Sequence, residues 1–105
     1  MKRGEIWWAE LLSPAGRRPV LLLSRDEAYM VRELVTVAPV TTRIRTIPTE
    51  VPLSIEDGFP KSCIVNLDTI TTIAKSSLSD RLVSLSVEKM SAVEIALHFA
   101  LGMAS

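Results

Sequence analysis

Short apolar runs bounded by turn residues, a single helical repeat confined to the carboxy terminus, and a length of 105 residues predict a mainly β fold of the α+β class. The expected form is a small, strongly curved antiparallel sheet or half-open barrel with one helix packed on its outside. Residues 1–105 are expected to make one domain, because a chain of this size supports only one compact core.

Glu5-Ile6-Trp7-Trp8-Ala9-Glu10-Leu11 is aromatic and β-prone and reads as a first strand, ended by the turn chemistry of Ser13-Pro14-Ala15-Gly16. Val20 to Ser24 is a continuous apolar run too short for a helix, hence a buried second strand. Asp26 to Arg32 allows a helical turn before a third strand from Leu34 to Val40, in which Pro39 indicates an edge or a bulge. Thr49 to Leu53 and Ser62 to Asp68 read as two further strands, and Asp57-Gly58 with Pro60 mark the link between them as a loop. Thr69 to Ala74 is β-branched and continues the sheet. Ser76 to Arg81 reads as a polar connection, and Leu82 to Leu85 as a last short strand.

Ser86 is placed to cap a helix, and Glu88 falls in its first turn, where the helix dipole favours an acid. That helix is expected to run to about Leu101. Met90, Val93, Leu97 and Leu101 keep helical spacing, Ile95, Ala96 and Phe99 widen the apolar stripe, and Ser91, Glu94 and His98 fall opposite.

Composition excludes several classes. Hydrophobic residues make up 48% and charged residues 23%, unlike a disordered chain. The apolar runs Val20 to Leu23 and Ile95 to Leu101 fall far short of a membrane span. The amino terminus lacks the pattern of a secretory leader, so a cytoplasmic location with no membrane partner is expected. One cysteine cannot form an internal disulfide, and with one histidine it makes no convincing zinc site, so no metal and no cofactor is expected. Cys63, in a strand-like run, reads as a buried structural thiol.

Net charge is zero, which argues against binding nucleic acid through bulk charge. The charges are nevertheless segregated. Residues 1–45 hold eight Lys or Arg against five Asp or Glu, whereas residues 46–105 hold four against seven. A basic face on a neutral body suits a short anion contact; chance segregation on a solvated surface is the alternative.

The candidate chemistry lies at strand ends. Arg18 directly precedes Pro19, which fixes the backbone at a strand entrance, so its five donors project from a rigid element toward an anion such as a phosphate. The competing account is an arginine that merely begins an edge strand. Thr41 ends the third strand with a hydroxyl able to donate to a phosphate oxygen, and Thr42 would face the other way. Arg43 and Arg45 alternate with Thr42 and Ile44 in a segment that either follows a polynucleotide backbone or is simply a solvated loop. Asn66 and Asp68, as alternating strand residues, share one face. They act on a nucleobase or a proton, or else satisfy backbone groups at a strand end.

Taken together, several segments resemble the MazF/PemK family of toxin endoribonucleases, the mRNA interferases of toxin–antitoxin systems. They are Arg3-Gly4-Glu5-Ile6-Trp7, Arg18-Pro19-Val20-Leu21 with Ser24, Val37-Ala38-Pro39-Val40-Thr41, Glu50-Val51-Pro52-Leu53, and Val65-Asn66-Leu67-Asp68 with Ile70, Thr72 and Ile73. Their order and spacing cover nearly the whole chain. The resemblance implies an SH3-like barrel with a carboxy-terminal helix, a homodimer with an RNA groove across both subunits, and inhibition by an antitoxin inserted into that groove. It places catalytic roles on Arg18 and Thr41, with Asp68 at an acidic position some members use as a base. Arg17, Ser24, Thr42, Arg43, Arg45 and Asn66 are then expected to bind RNA. The sequence departs from many members in having Asn66 where they carry a basic residue, and in a shorter Ser13 to Arg17 loop without their histidine. Those departures leave the proton-transfer scheme and the recognised RNA sequence open.

The expected activity is metal-independent cleavage of single-stranded RNA by its own 2′-hydroxyl, leaving 2′,3′-cyclic phosphate and 5′-hydroxyl ends. Messenger RNA is the expected target, with tRNA and rRNA left open. The alternatives are a non-catalytic SH3-like toxin acting by protein contact, as a gyrase poison does, and a degenerate member that only binds antitoxin.

Overall fold

The computed structural model describes residues 1–11 and 16–103. Its strands are β1 (Glu5–Glu10), β2 (Arg17–Leu22), β3 (Leu34–Thr41), β4 (Glu50–Leu53), β5 (Cys63–Asn66), β6 (Thr71–Ala74) and β7 (Leu78–Ser84). Its helices are α1 (Ala28–Val31) and α2 (Val87–Leu101). All strand pairings are antiparallel, in the order β4-β5-β3-β2-β1-β7, with β6 beside the first half of β3. The mainly β, α+β fold with a carboxy-terminal helix is as expected, but the sheet does not close into a barrel: β4 and β7 end its order. The turn expected at Ser13, Pro14 and Ala15 lies outside the described residues. Among the described residues, no helix is long and apolar enough to cross a membrane.

The unbroken apolar run in β2 has a direct cause: both faces of the central strands are buried. Leu21, Ala38 and Val40 pack on one face with Ile6, Val65 and the helix residue Val93. Val20, Leu22, Val35 and Val37 pack on the other with Ala9, Tyr29 and Leu78. Tyr29 in α1 donates its hydroxyl to the Ser24 carbonyl at 3.1 Å, and Lys75 Nζ caps α1 through the Tyr29 carbonyl at 2.8 Å. Burial pushes the Tyr29 phenol up to about 12.

Pro39 lies neither on an edge nor in a bulge. It sits inside β3 opposite Val20, where the pairing with β6 stops at Val37 and the pairing with β5 begins at Val40. Its missing N–H therefore falls where one neighbour hands over to the next. The strand expected from Ser62 to Asp68 ends at Asn66, and Leu67–Thr69 form a 3₁₀ turn instead. Asn66 causes the stop, its Oδ1 accepting from the Asp68 amide at 2.9 Å. The last strand begins earlier than expected, because Leu78 is buried against β1.

Helix α2 starts as the sequence indicates, with Ser86 Oγ accepting from the Lys89 amide at 3.1 Å. Its orientation is different. Val93 and Ala96 are buried, while Ile95, Phe99 and Leu101 are 74%, 62% and 53% exposed. The stripe facing the core is thus narrower than expected, and apolar side chains also stand on the outer side beside Ser91 and Glu94.

Two contacts brace the sheet next to the site. Glu5 is buried, and its carboxylate accepts from the Lys2 amide at 2.9 Å, Trp7 Nε1 at 3.0 Å and Arg81 at 3.3 Å. Burial alone would raise the Glu5 pKa, but these donors outweigh it and hold the group below its ordinary value of 4.5. The second contact involves Gly58, which ends the Ile55–Asp57 3₁₀ turn at φ +98°. A Cβ there would lie 2.7 Å from Val83 Cγ1.

A lowered folded-state pKa means that the stabilisation from Glu5 is complete above the unfolded value and is lost as pH falls through the folded one. Glu5→Gln should therefore destabilise the protein at pH 7, with the difference from wild type shrinking as pH drops below 4.5; urea unfolding at pH 7 and pH 3 checks this. Gly58→Ala combines a left-handed backbone with a clash, so a loss of about 2 kcal/mol, or roughly 8–16 °C in Tm, is expected by thermal unfolding.

Candidate active site

Strand register brings the two principal candidates together. Val20 pairs with Pro39 and Leu21 with Ala38, and continuing that antiparallel register places Arg18 across from Thr41. Both residues line two adjoining depressions. The larger, about 440 Å³, has Trp8, Pro19, Phe59 and Leu82 as apolar walls, with Thr42 and Lys61 adding polar groups. The smaller, about 170 Å³, adds Arg43, Arg45, Asn66 and Glu50. Three arginines thus surround a space of phosphate size.

The Thr41 hydroxyl oxygen accepts from the Arg43 amide at 3.2 Å, which leaves its own O–H to donate outward. That bond also starts the segment leading to β4. Glu50 Oε1 accepts from the amides of both Arg45 and Thr46, each at 3.0 Å. Thr46 has φ +59°, a left-handed conformation costing a β-branched residue about 1–2 kcal/mol.

Other expected site residues are used differently. Arg17 is ion-paired to Glu10 at 3.1 Å and Asp80 at 3.4 Å, and its guanidinium lies 4.5 Å from the Trp8 ring centre. All three charged groups are exposed, so the pairs hold it only weakly. Ser24 is not brought to either depression. Its Oγ accepts from the Thr36 amide at 2.8 Å and ties the end of β2 to β3.

Asn66 lines the smaller depression, but its Oδ1 is engaged by Asp68, which turns its amide donors to any ligand. Asp68 lines neither depression. It is exposed, and its Oδ2 accepts from Thr49 Oγ1 at 2.5 Å. The carboxylate within the smaller depression is Glu50, to which sequence reasoning gave no role. The available signal was its place directly after a basic loop, at the head of a strand. Cys63 borders the larger depression, and burial, with a smaller contribution from Asp57, pushes its thiol up, away from reactivity. Among the described residues, no three His, Cys, Asp or Glu side chains gather where a metal ion could be held.

Comparison with known proteins identifies the family. Residues 2–101 match the model of the PemK-like, MazF-like toxin of type II toxin–antitoxin systems. The chain belongs to this toxin family. Its relatives include the probable endoribonuclease MazF5 of Mycobacterium tuberculosis, 41% identical over 99 residues covering 93% of this chain and 90% of that protein. Endoribonuclease EndoA of Bacillus subtilis is 32% identical over 112 residues, covering 98% and 96%. Among solved structures, the M. tuberculosis toxin MazF-mt6 superposes with a TM-score of 0.88 at 31% identity, covering 96% of this chain and 99% of that one. A mycobacterial endoribonuclease in complex with its cognate antitoxin also reaches 0.88, at 30% identity, covering 100% and 98%. The MazF/PemK resemblance noted in the sequence is thereby borne out.

Proposed function

We propose that this member of the family is a metal-independent endoribonuclease, the toxin of a toxin–antitoxin pair, cutting single-stranded RNA in the depressions shared by Arg18 and Thr41. The observation that carries this reading is the register of β2 on β3, which sets a rigid arginine opposite an outward-donating threonine. In the reaction the RNA 2′-oxygen bonds to the adjacent phosphorus as the bond to the 5′-oxygen breaks. The 2′-hydroxyl gives up its proton and the 5′-oxygen gains one. The role of Arg18 is to stabilise charge on the phosphorane through its guanidinium donors; Thr41 shares it. We assign Asp68 to holding the Leu67–Thr69 turn rather than to proton transfer, since Thr49 occupies its carboxylate outside the depressions.

Single strands are favoured because their base edges are open, and DNA lacks the attacking hydroxyl. Thr42, Arg43, Arg45 and Asn66 then contact the strand directly, and Arg17 can exchange its weak surface pairs for phosphate. The apolar walls of the larger depression suit side chains of a cognate antitoxin, and a mycobacterial endoribonuclease of this fold forms a complex with its own antitoxin. RNA as substrate implies a cytoplasmic site of action for residues 1–105 working as one unit. Exposed Ile95 and Phe99 on the outer side of α2, with Met103 just beyond its end, support a homodimer.

Two experiments test these statements. Wild-type protein incubated with a long single-stranded RNA in EDTA should give discrete cuts with cyclic phosphate ends, and folded Arg18→Ala should be slower by about a hundredfold or more. Intact RNA with wild type would instead favour action by protein contact. Ile95→Asp should shift the sedimentation of the protein from dimer to monomer; a wild type that sediments as a monomer would reject the homodimer.

A further inference from the structure

Resting on the RNA-cleavage reading above, we propose that Glu50 is a positioning residue of the active site. Its carboxylate clamps the backbone of the segment that carries Arg43 and Arg45. The two amides it holds are consecutive, those of Arg45 and Thr46, and both donate at 3.0 Å to the single oxygen Oε1. Consecutive amides converging on one point form a concavity that must be filled by an acceptor oxygen, and here the protein supplies its own. The second observation is Thr46 at φ +59°. A β-branched residue stays in the left-handed region only where its surroundings over-determine it.

The clamp is itself anchored. Glu50 opens β4 opposite Asn66 in β5, its amide donates to the Ile47 carbonyl at 3.0 Å, and the next residue, Val51, is in the core. The segment is therefore tied at both ends, by Thr41 receiving the Arg43 amide and by Glu50 receiving the Arg45 and Thr46 amides. The backbone amides so tied include those of two of the arginines lining the smaller depression.

A carboxylate beside a phosphate site is electrostatically unfavourable, because the two anions repel. Its presence is explained if the acceptor geometry matters more than the charge. Glutamine keeps an Oε1 acceptor of the same reach and removes the charge; alanine removes both. A general base would behave in the opposite way, since glutamine cannot take a proton.

The test is steady-state cleavage of a short single-stranded RNA by wild type, Glu50→Gln and Glu50→Ala, with pH profiles and thermal unfolding of each. Glu50→Ala should raise KM by about tenfold or more with kcat changed by less than about threefold, since RNA arginines rather than reacting atoms are displaced. Glu50→Gln should remain within about twofold of wild type in both constants and keep the wild-type pH profile. Hydrogen exchange at the Arg45 and Thr46 amides should accelerate in the alanine variant alone. A folded Glu50→Ala with wild-type kinetics overturns the clamp. So does a Glu50→Gln that loses kcat together with one limb of the pH profile, which would make Glu50 an acid–base group. If the wild type itself leaves the RNA intact, the cleavage reading falls, and this proposal with it.

Discussion

Val20 opposite Pro39 and Leu21 opposite Ala38 fix where Arg18 and Thr41 stand. Arg18 and Thr41 lie beyond these pairs, so their meeting depends on a register that the core enforces from both faces. A slip of one residue would exchange the side chains packed around Ile6 and Val93 for those packed around Tyr29 and Leu78. Neither set fits the other's space, and the slip would also carry Arg18 away from Thr41. The apolar run that makes β2 look unremarkable in sequence thus sets the alignment of the site.

Charge is organised locally rather than globally. A chain of zero net charge gathers Arg18, Arg43 and Arg45 around one small space, and employs acidic residues close by as structural acceptors. Glu10 and Asp80 hold Arg17 at the surface, Asp68 receives Thr49, and Glu50 receives two amides. Acids that would weaken an anion site by bulk charge instead shape the backbone that forms it. Contacts of this kind give orientation first, and strength only through the few groups that reach the ligand.

Much of the fold was legible because the relevant signals are local. Short apolar or β-branched runs, the Ser86 cap, and turn residues such as Gly58 and Pro60 each act within a few residues. Arg18 and Thr41 could also be singled out, since both stand at strand ends. What escaped depends on partners distant in sequence. Pro39 resembles an edge residue until β6 and β5 are seen to divide β3 between them. Asp68 resembles a strand residue until Asn66 bends the chain. Glu50 could not be given a role because its function lies in which backbone amides fold back onto it. The outer apolar side of α2 was misread for a related reason: helical spacing marks a stripe as apolar but does not say which part of it the sheet covers.

The two adjacent tryptophans stand in different surroundings. Trp7 packs against the face holding Tyr29 and Leu78, with its indole N–H donated to buried Glu5, whereas Trp8 borders the larger depression beneath the Arg17 guanidinium. A ligand entering that depression meets one indole and leaves the other in its fixed setting. The chain therefore carries an intrinsic optical probe of occupancy next to an internal reference, and ligand arrival can be followed by emission without attaching a dye.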